Sequence, residues 1–129
     1  MAIEVNISGQ IERWERLAEL AFTSDRKRMT VILRETSSGR IVLHSKGADD
    51  VIFARTAASD PLREVTEAHV ETFAALGLRT LVFGLREMSE AEWSECKAGM
   101  DKAAAMVEGR SAALSGQSAT HLCMHHHTP

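Results

Sequence analysis

The chain is short of several things, and each shortage removes a class of protein. It has only two cysteines, Cys96 and Cys123, far apart and without metal-ligand spacing. The expectation is two free thiols in a reducing compartment, not a disulfide framework. No apolar run approaches the roughly 20 residues needed to span a bilayer. The opening Met-Ala-Ile-Glu-Val-Asn-Ile has neither the basic nor the sustained apolar region of a secretory signal. Neither GxGxxG nor GxxxxGK(S/T) occurs, so the two common phosphate loops are not readable here. Charge is nearly balanced at −3, which gives no overall pull toward nucleic acid or anionic membrane. Any affinity for an anion has to be local, and the only dense positive cluster is Arg26-Lys27-Arg28. The chain is expected to be soluble.

What is present suits one globular domain: 129 residues, 44% hydrophobic and 26% charged. Ile3-Glu4-Val5-Asn6-Ile7 alternates and stops at Ser8-Gly9, which predicts a strand and a turn. Residues 11–21 are open: Ile11, Trp14, Leu17, Ala18 and Ala21 fit helical spacing, and an extended segment leading into Phe22 fits as well. Met29 to Glu35 and Arg40 to Ser45 are β-rich runs separated by Thr36-Ser37-Ser38-Gly39, a hairpin signal.

A short helix is expected from Ala48 to Thr56. Asp60-Pro61 supplies an N-cap and first-turn proline for another, with Leu62, Val65, His69, Phe73 and Leu76 as its apolar stripe and Gly77 as its C′ residue. Leu78 to Leu85 reads as a buried strand. Ser89-x-x-Glu92 is a capping box before a helix carrying Trp93, Met100 and Val107. The alternation is too irregular for a doubly wound fold. The expected class is α+β, an antiparallel β-sheet flanked by helices.

Several residues can carry chemistry. An aromatic beside a cationic run, as Phe22 is, can stack on a purine or simply fill a core. If the strand reaches back to residue 26, Lys27 and Met29 share one face and Arg26 and Arg28 the other, so only one subset can meet a ligand. Lys46 stands directly before Gly47, which lets a ligand or another backbone approach closely. Arg79, at the head of an apolar strand, needs a partner; a phosphate oxygen or a carboxylate such as Glu71 or Glu87 would serve. His69 reads as a packing histidine. His121, Cys123, His125, His126 and His127 invite a metal reading, but nothing around them would fix ligand geometry.

Phe22-Thr-Ser-Asp-Arg-Lys-Arg-Met-Thr-Val-Ile32, then Lys46-Gly-Ala-Asp-Asp-Val-Ile-Phe53, then Gly77-Leu-Arg-Thr-Leu81 resemble, in order and spacing, the nucleotide-binding (N) domain of P-type ATPases. Lys46-Gly47-Ala48-Asp49 in place of KGAPE, with Lys-Arg-Met at 27–29, looks like the phospholipid-translocating (flippase) branch. The resemblance implies an ATP site: Phe22 against adenine, Lys27 as the pocket lysine, Lys46 lining the adenine pocket and Arg79 touching nucleotide. Ser24, Met29 and Gly47 complete the set, with Asp25 beside them. Ser24 stands where some ion pumps have an arginine.

The resemblance covers about residues 3–114 and is strongest over 22–82. It implies a partial N domain at 1–114 followed by a disordered or unrelated tail at 115–129. No DKTGT phosphorylation site is present; Asp101-Lys102 is followed by Ala-Ala-Ala. The family's earlier acidic adenine-contacting motif has no counterpart. No catalytic or metal-binding residue is therefore expected.

The implied cofactor is ATP, with Mg²⁺ only in the complete enzyme. The implied partners are the phosphorylation, actuator and membrane domains of a parent protein, on the cytoplasmic side of its membrane. No nucleic acid and no direct membrane contact are expected. The alternatives are a folded fragment that does not bind nucleotide, acting as an interaction domain or inert remnant, and a small independent hydrolase or metal-binding protein. The last needs a nucleophile–base pair that the sequence does not show.

Overall fold

The computed structural model describes residues 1–105. They form an α+β fold around one antiparallel sheet of five strands: β1 (Ala2–Ile7), β2 (Gln10–Leu20), β3 (Arg28–Glu35), β4 (Ile41–Gly47) and β5 (Val82–Met88). Spatial order equals chain order, a meander in which each strand pairs with the next. Three helices accompany it: α1 (Asp49–Phe53), α2 (Arg63–Ala75) and α3 (Glu90–Ala105).

The first turn follows from its residues. Ser8 and Gly9 both take positive φ, 52° and 88°, as a two-residue hairpin requires, and Gly9 N–H donates to Asn6 Oδ1 at 2.9 Å. Of the two readings open for residues 11–21, the extended one is observed. β2 is ladder-bonded on both sides, to β1 and to β3, with an irregularity between Arg16 and Ala18. Two neighbouring strands satisfy its backbone groups, and this outweighs the helical spacing of its apolar residues. The hairpin at 36–39 forms as expected, closed by Glu35 N–H to Arg40 O at 2.9 Å, with Gly39 at φ 74°.

Alternation gives the sheet two unlike faces. On the inner face Ile32, Ile41, Leu43 and Met88 pack with Trp93 and Cys96 of α3, and Leu17, Ala18 and Met100 border them. Full burial of each large apolar side chain is worth about 1.5–3 kcal/mol, so this cluster is the main source of stability. The capping box holds α3 at its start: Ser89 N–H donates to Glu92 Oε2 at 2.7 Å, and Glu92 N–H to Ser89 Oγ at 3.2 Å. Cys96 is buried and disulfide-bonded, which corrects the expectation of a free thiol at this position.

Three expectations about the second half also change. Asp60 does not cap α2 directly; its Oδ1 accepts from Leu62 N–H at 2.8 Å, and the helix begins at Arg63 with no side-chain cap. The C-terminus is as expected: Gly77 at φ 74° closes a Schellman motif, Gly77 N–H to Ala74 O at 2.9 Å and Leu78 N–H to Phe73 O at 3.0 Å. The stripe of α2, however, packs on nothing within the described residues. The helix buries no residue, and Leu62, Val65, His69, Phe73 and Leu76 are all exposed.

Nor is 78–85 a buried strand. β5 starts at Val82 and among the described residues is bonded only to β4; Phe83 and Leu85, with Leu81 just before the strand, are in solvent. Val107 and the whole histidine- and cysteine-bearing tail lie outside the described residues.

Candidate functional site

The site is built at one end of the sheet. In an antiparallel meander the end of β2, the start of β3, the end of β4 and the start of β5 all fall on the same side. The registers bear this out: Leu20 is opposite Thr30, Arg28 opposite Gly47, and Gly47 opposite Val82. Phe22, Ser24, Lys27, Met29, Lys46, Gly47 and Arg79 lie at this end or within a few residues of it.

Residues 21–27 form the connection from β2 to β3, folded on local polar contacts. Lys27 N–H donates to Thr23 O at 2.8 Å, Arg26 N–H to Thr23 Oγ1 at 3.2 Å, and Arg26 Nη1 to Ala21 O at 2.7 Å. Arg26 thus turns inward and staples the loop from beneath, while Phe22, Ser24, Asp25 and Lys27 remain outside. Phe22 is 60% exposed, so the core reading of this ring is set aside.

The basic trio separates as alternation requires, by a different route. Lys27 is not in the strand; it sits at φ 50°, and β3 begins one residue later. Arg28 is only 2% exposed and donates from Nη1 to Arg26 O at 3.1 Å. Burial, with the positive charges of Arg55 and Arg26, lowers its pKa to about 10. Burial and Arg55 likewise lower Arg26. Two arginines of the trio are therefore internal, and Lys27 alone is presented to solvent.

Gly47 answers to backbone rather than to ligand. A Cβ there would meet the carbonyl oxygen of Lys27 and lie 2.7 Å from Arg28 Cβ. Its φ is not positive, so close approach is its reason. Beside it, on the outer face, exposed Lys46 is directly opposite half-buried Met29 on one side and Phe83 on the other. Phe83 is 71% exposed. Reading 78–85 as continuously buried hid this second aromatic; alternation against inward Val82 and Gly84 is the signal that finds it.

Arg79 does not open a strand. It lies exposed in the coil between α2 and β5, so no partner is needed to offset burial. Among the described residues neither Glu71 nor Glu87 pairs with it, and Glu87 bonds Arg40 at 3.0 Å. Asp101 is mid-helix and bonded to Lys97 Nζ at 3.1 Å. Among the described residues no group of three or more His, Cys, Asp or Glu is arranged to hold a metal ion, and none of the helices there is long and apolar enough to cross a membrane. An exposed aromatic with three exposed cations, Lys27, Lys46 and Arg79, is equipped to grip a flat base and an anion.

Comparison with known proteins agrees in extent. The family described as P-type ATPase, cytoplasmic domain N, matches residues 1–111. Phospholipid-transporting ATPase 2 of Arabidopsis thaliana is 39% identical over 108 residues, 84% of this chain and 10% of its own length. Phospholipid-transporting ATPase tat-1 of Caenorhabditis elegans is 40% identical over 113 residues, 85% of this chain and 10% of its own. Phospholipid-transporting ATPase DNF1 of Chaetomium thermophilum is 41% identical over 114 residues, 87% of this chain and 7% of its own. The chain thus spans at most a tenth of the length of these relatives. With its antiparallel α+β architecture, the chain belongs to the P-type ATPase cytoplasmic N-domain family.

Proposed function

We propose that this chain is the ATP-holding module of a phospholipid-translocating P-type ATPase, gripping the base and presenting the γ-phosphate to an aspartate on another domain. The observation that carries the reading is the common placement of Phe22, Lys27, Lys46 and Arg79. All are exposed at one end of the sheet, and none of the three cations is in an ion pair among the described residues. Unengaged cations at the same sheet end as an exposed aromatic ring suit an anionic, planar ligand. Met29, opposite Lys46, adds a polarizable apolar contact for the base. Ser24, exposed in the connection from β2 to β3, offers a hydroxyl, and buried Gly47 lets that connection close on the end of β4.

The module's contribution is positioning. Phe22 orients the base by stacking; Lys27, Lys46 and Arg79 offset phosphate charge. Mg²⁺ would act only in the complete enzyme, neutralising charge at the phosphates. One stack worth about 1–3 kcal/mol and two or three charge-assisted hydrogen bonds of about 1.5–3 kcal/mol, less at least about 4 kcal/mol for association, leave a weak site near millimolar.

Titrating the chain separately with ATP, adenosine and tripolyphosphate tests the reading. ATP should bind more tightly than either half, and Lys46→Ala should weaken ATP and tripolyphosphate alike. Equal affinity for ATP and tripolyphosphate would remove the base from the account. No binding of any of them would favour the alternative, a non-binding interaction fragment.

A further inference from the structure

Helix α2 has 13 residues, no side-chain N-cap and no buried residue. Isolated helices of this length are marginal in water, and most helical stability in proteins comes from packing an apolar face. Its tether to the described fold is Arg63, whose Nη1 donates to Phe53 O and Thr56 O, each at 2.9 Å, while its guanidinium lies 5.8 Å from the Phe53 ring centroid. Among the described residues nothing covers the stripe Leu62, Val65, Phe73 and Leu76.

At its Leu62 end the stripe runs into a groove of about 580 Å³ between α1, the start of α2 and β5. Ile52, Phe53, Val82 and Leu85 supply much of its apolar lining.

The charges of the groove are unequal. Arg63 and Arg86 line it but are engaged by Glu67 and Glu92, and Asp60 is turned to Leu62 N–H. Arg55 also lines it, and its Nη1 donates to Val51 O at 2.7 Å. Neither Arg55 nor Arg28 has an ion pair among the described residues. Arg55 Nε, Arg28 Nε and Arg28 Nη2 are buried with no hydrogen-bond partner among the described residues. Arg55 and Arg28 are close enough to repel each other. Two like charges left unpaired in a low-dielectric setting are unfavourable unless an anion joins them. A planar guanidinium with free donors is best met by a carboxylate fork.

We propose that this groove and the stripe of α2 are the docking seat of an acidic amphipathic helix from polypeptide outside these 129 residues, its carboxylate received by Arg55, which lines the groove. The apolar stripe at steps of three and four is the kind that a helix covers, and the unpaired arginines select the sign of its polar residue. Relatives offer polypeptide for the purpose, since the matched segment is 10% of their length.

The test uses two synthetic helical peptides of about 18 residues with leucines at helical spacing, one with a central glutamate and one with glutamine there. Each is titrated into the ¹⁵N-labelled chain. The proposal expects saturable shifts at Arg55, Leu62, Val65 and Leu76, slower amide exchange in α2, and about tenfold tighter binding of the glutamate peptide. Arg55→Met and Arg55→Lys, each checked for intact sheet resonances, should erase or reduce that preference while ATP shifts at Phe22 and Lys46 stay as they are. Equal binding of both peptides, no binding, or shifts confined to β1 and β2 would overturn it. A concentration-dependent dimer with α2 shifts in the absence of peptide would overturn it in favour of a second copy as the occupant.

Discussion

Lys27 and Gly47 are two halves of one contact: Lys27 turns its backbone left-handed, its carbonyl accepts from Ala48 N–H at 3.1 Å, and the bare Cα of Gly47 leaves room for it. This contact joins the loop bearing Phe22 to the strand end bearing Lys46. It explains why the motif glycine is needed even with no ligand bound.

Gly47→Ala should therefore damage the fold as well as the site. The added methyl would stand 2.7 Å from Arg28 Cβ and 2.9 Å from Arg28 Cα, and backbone cannot swing away as a side-chain tip can. A loss of about 1–3 kcal/mol is expected, read as a lower urea midpoint with unchanged slope. A variant as stable as the parent would show that the two strands have slack here.

Lys27 separates strain from charge. A non-glycine residue in the left-handed region costs about 1–2 kcal/mol, and glycine relieves it while raising unfolded-state entropy by about 0.4–1 kcal/mol. Lys27→Gly should be more stable than Lys27→Ala by up to about 1 kcal/mol, and both should bind ATP equally poorly. Better binding by either variant than by the parent would remove Lys27 from the phosphate side.

His44 gives the fold a pH dependence. Burial, with the positive charge of Arg40, holds its pKa below 6.5 in the native state. As pH falls through 6.5 the unfolded chain takes up this proton first, so the unfolded state binds more protons and stability declines on acidification. The decline should run from just above that value down to the native pKa and then level off. His44→Gln should flatten it in chemical denaturation followed between about pH 7 and pH 5.

The capping box is worth a further test because α3 carries Trp93 and Cys96 into the core. Ser89→Ala removes the acceptor for Glu92 N–H and should cost about 1 kcal/mol. Ser89→Asp, which keeps an acceptor, should restore most of it.

What was legible in the sequence was what local chemistry controls. Ser8-Gly9, the 36–39 hairpin, the Gly77 stop and the Ser89–Glu92 box are each fixed by a few adjacent residues, and each appears as read. β2 was half legible: helical and extended readings of 11–21 both stood, and the two flanking ladders that decide for the strand lie outside any local window. The stripe of α2 and the run 78–85 were read as buried since apolar residues usually are. The stripe, with Leu81, Phe83 and Leu85, is exposed because the described residues offer nothing to cover it, and of the second run Val82 alone is buried. The inward turn of Arg26 and Arg28 was half visible: alternation said that only one subset could face out, while the left-handed Lys27 that enforces it left no sequence mark. The seven expected ligand residues gather at one sheet end because the meander returns each strand there, a consequence of topology that no single motif contains.

The most direct test of the central claim is an amide and methyl NMR titration of the chain with ATP, run in parallel on Phe22→Ala. The account predicts saturable shifts clustered at residues 22–29, 46–47 and 79, with affinity near millimolar and at least about fivefold weaker in the variant. Dispersed, native resonances that do not move at several times that concentration would contradict it, as would shifts of equal affinity in chain and variant.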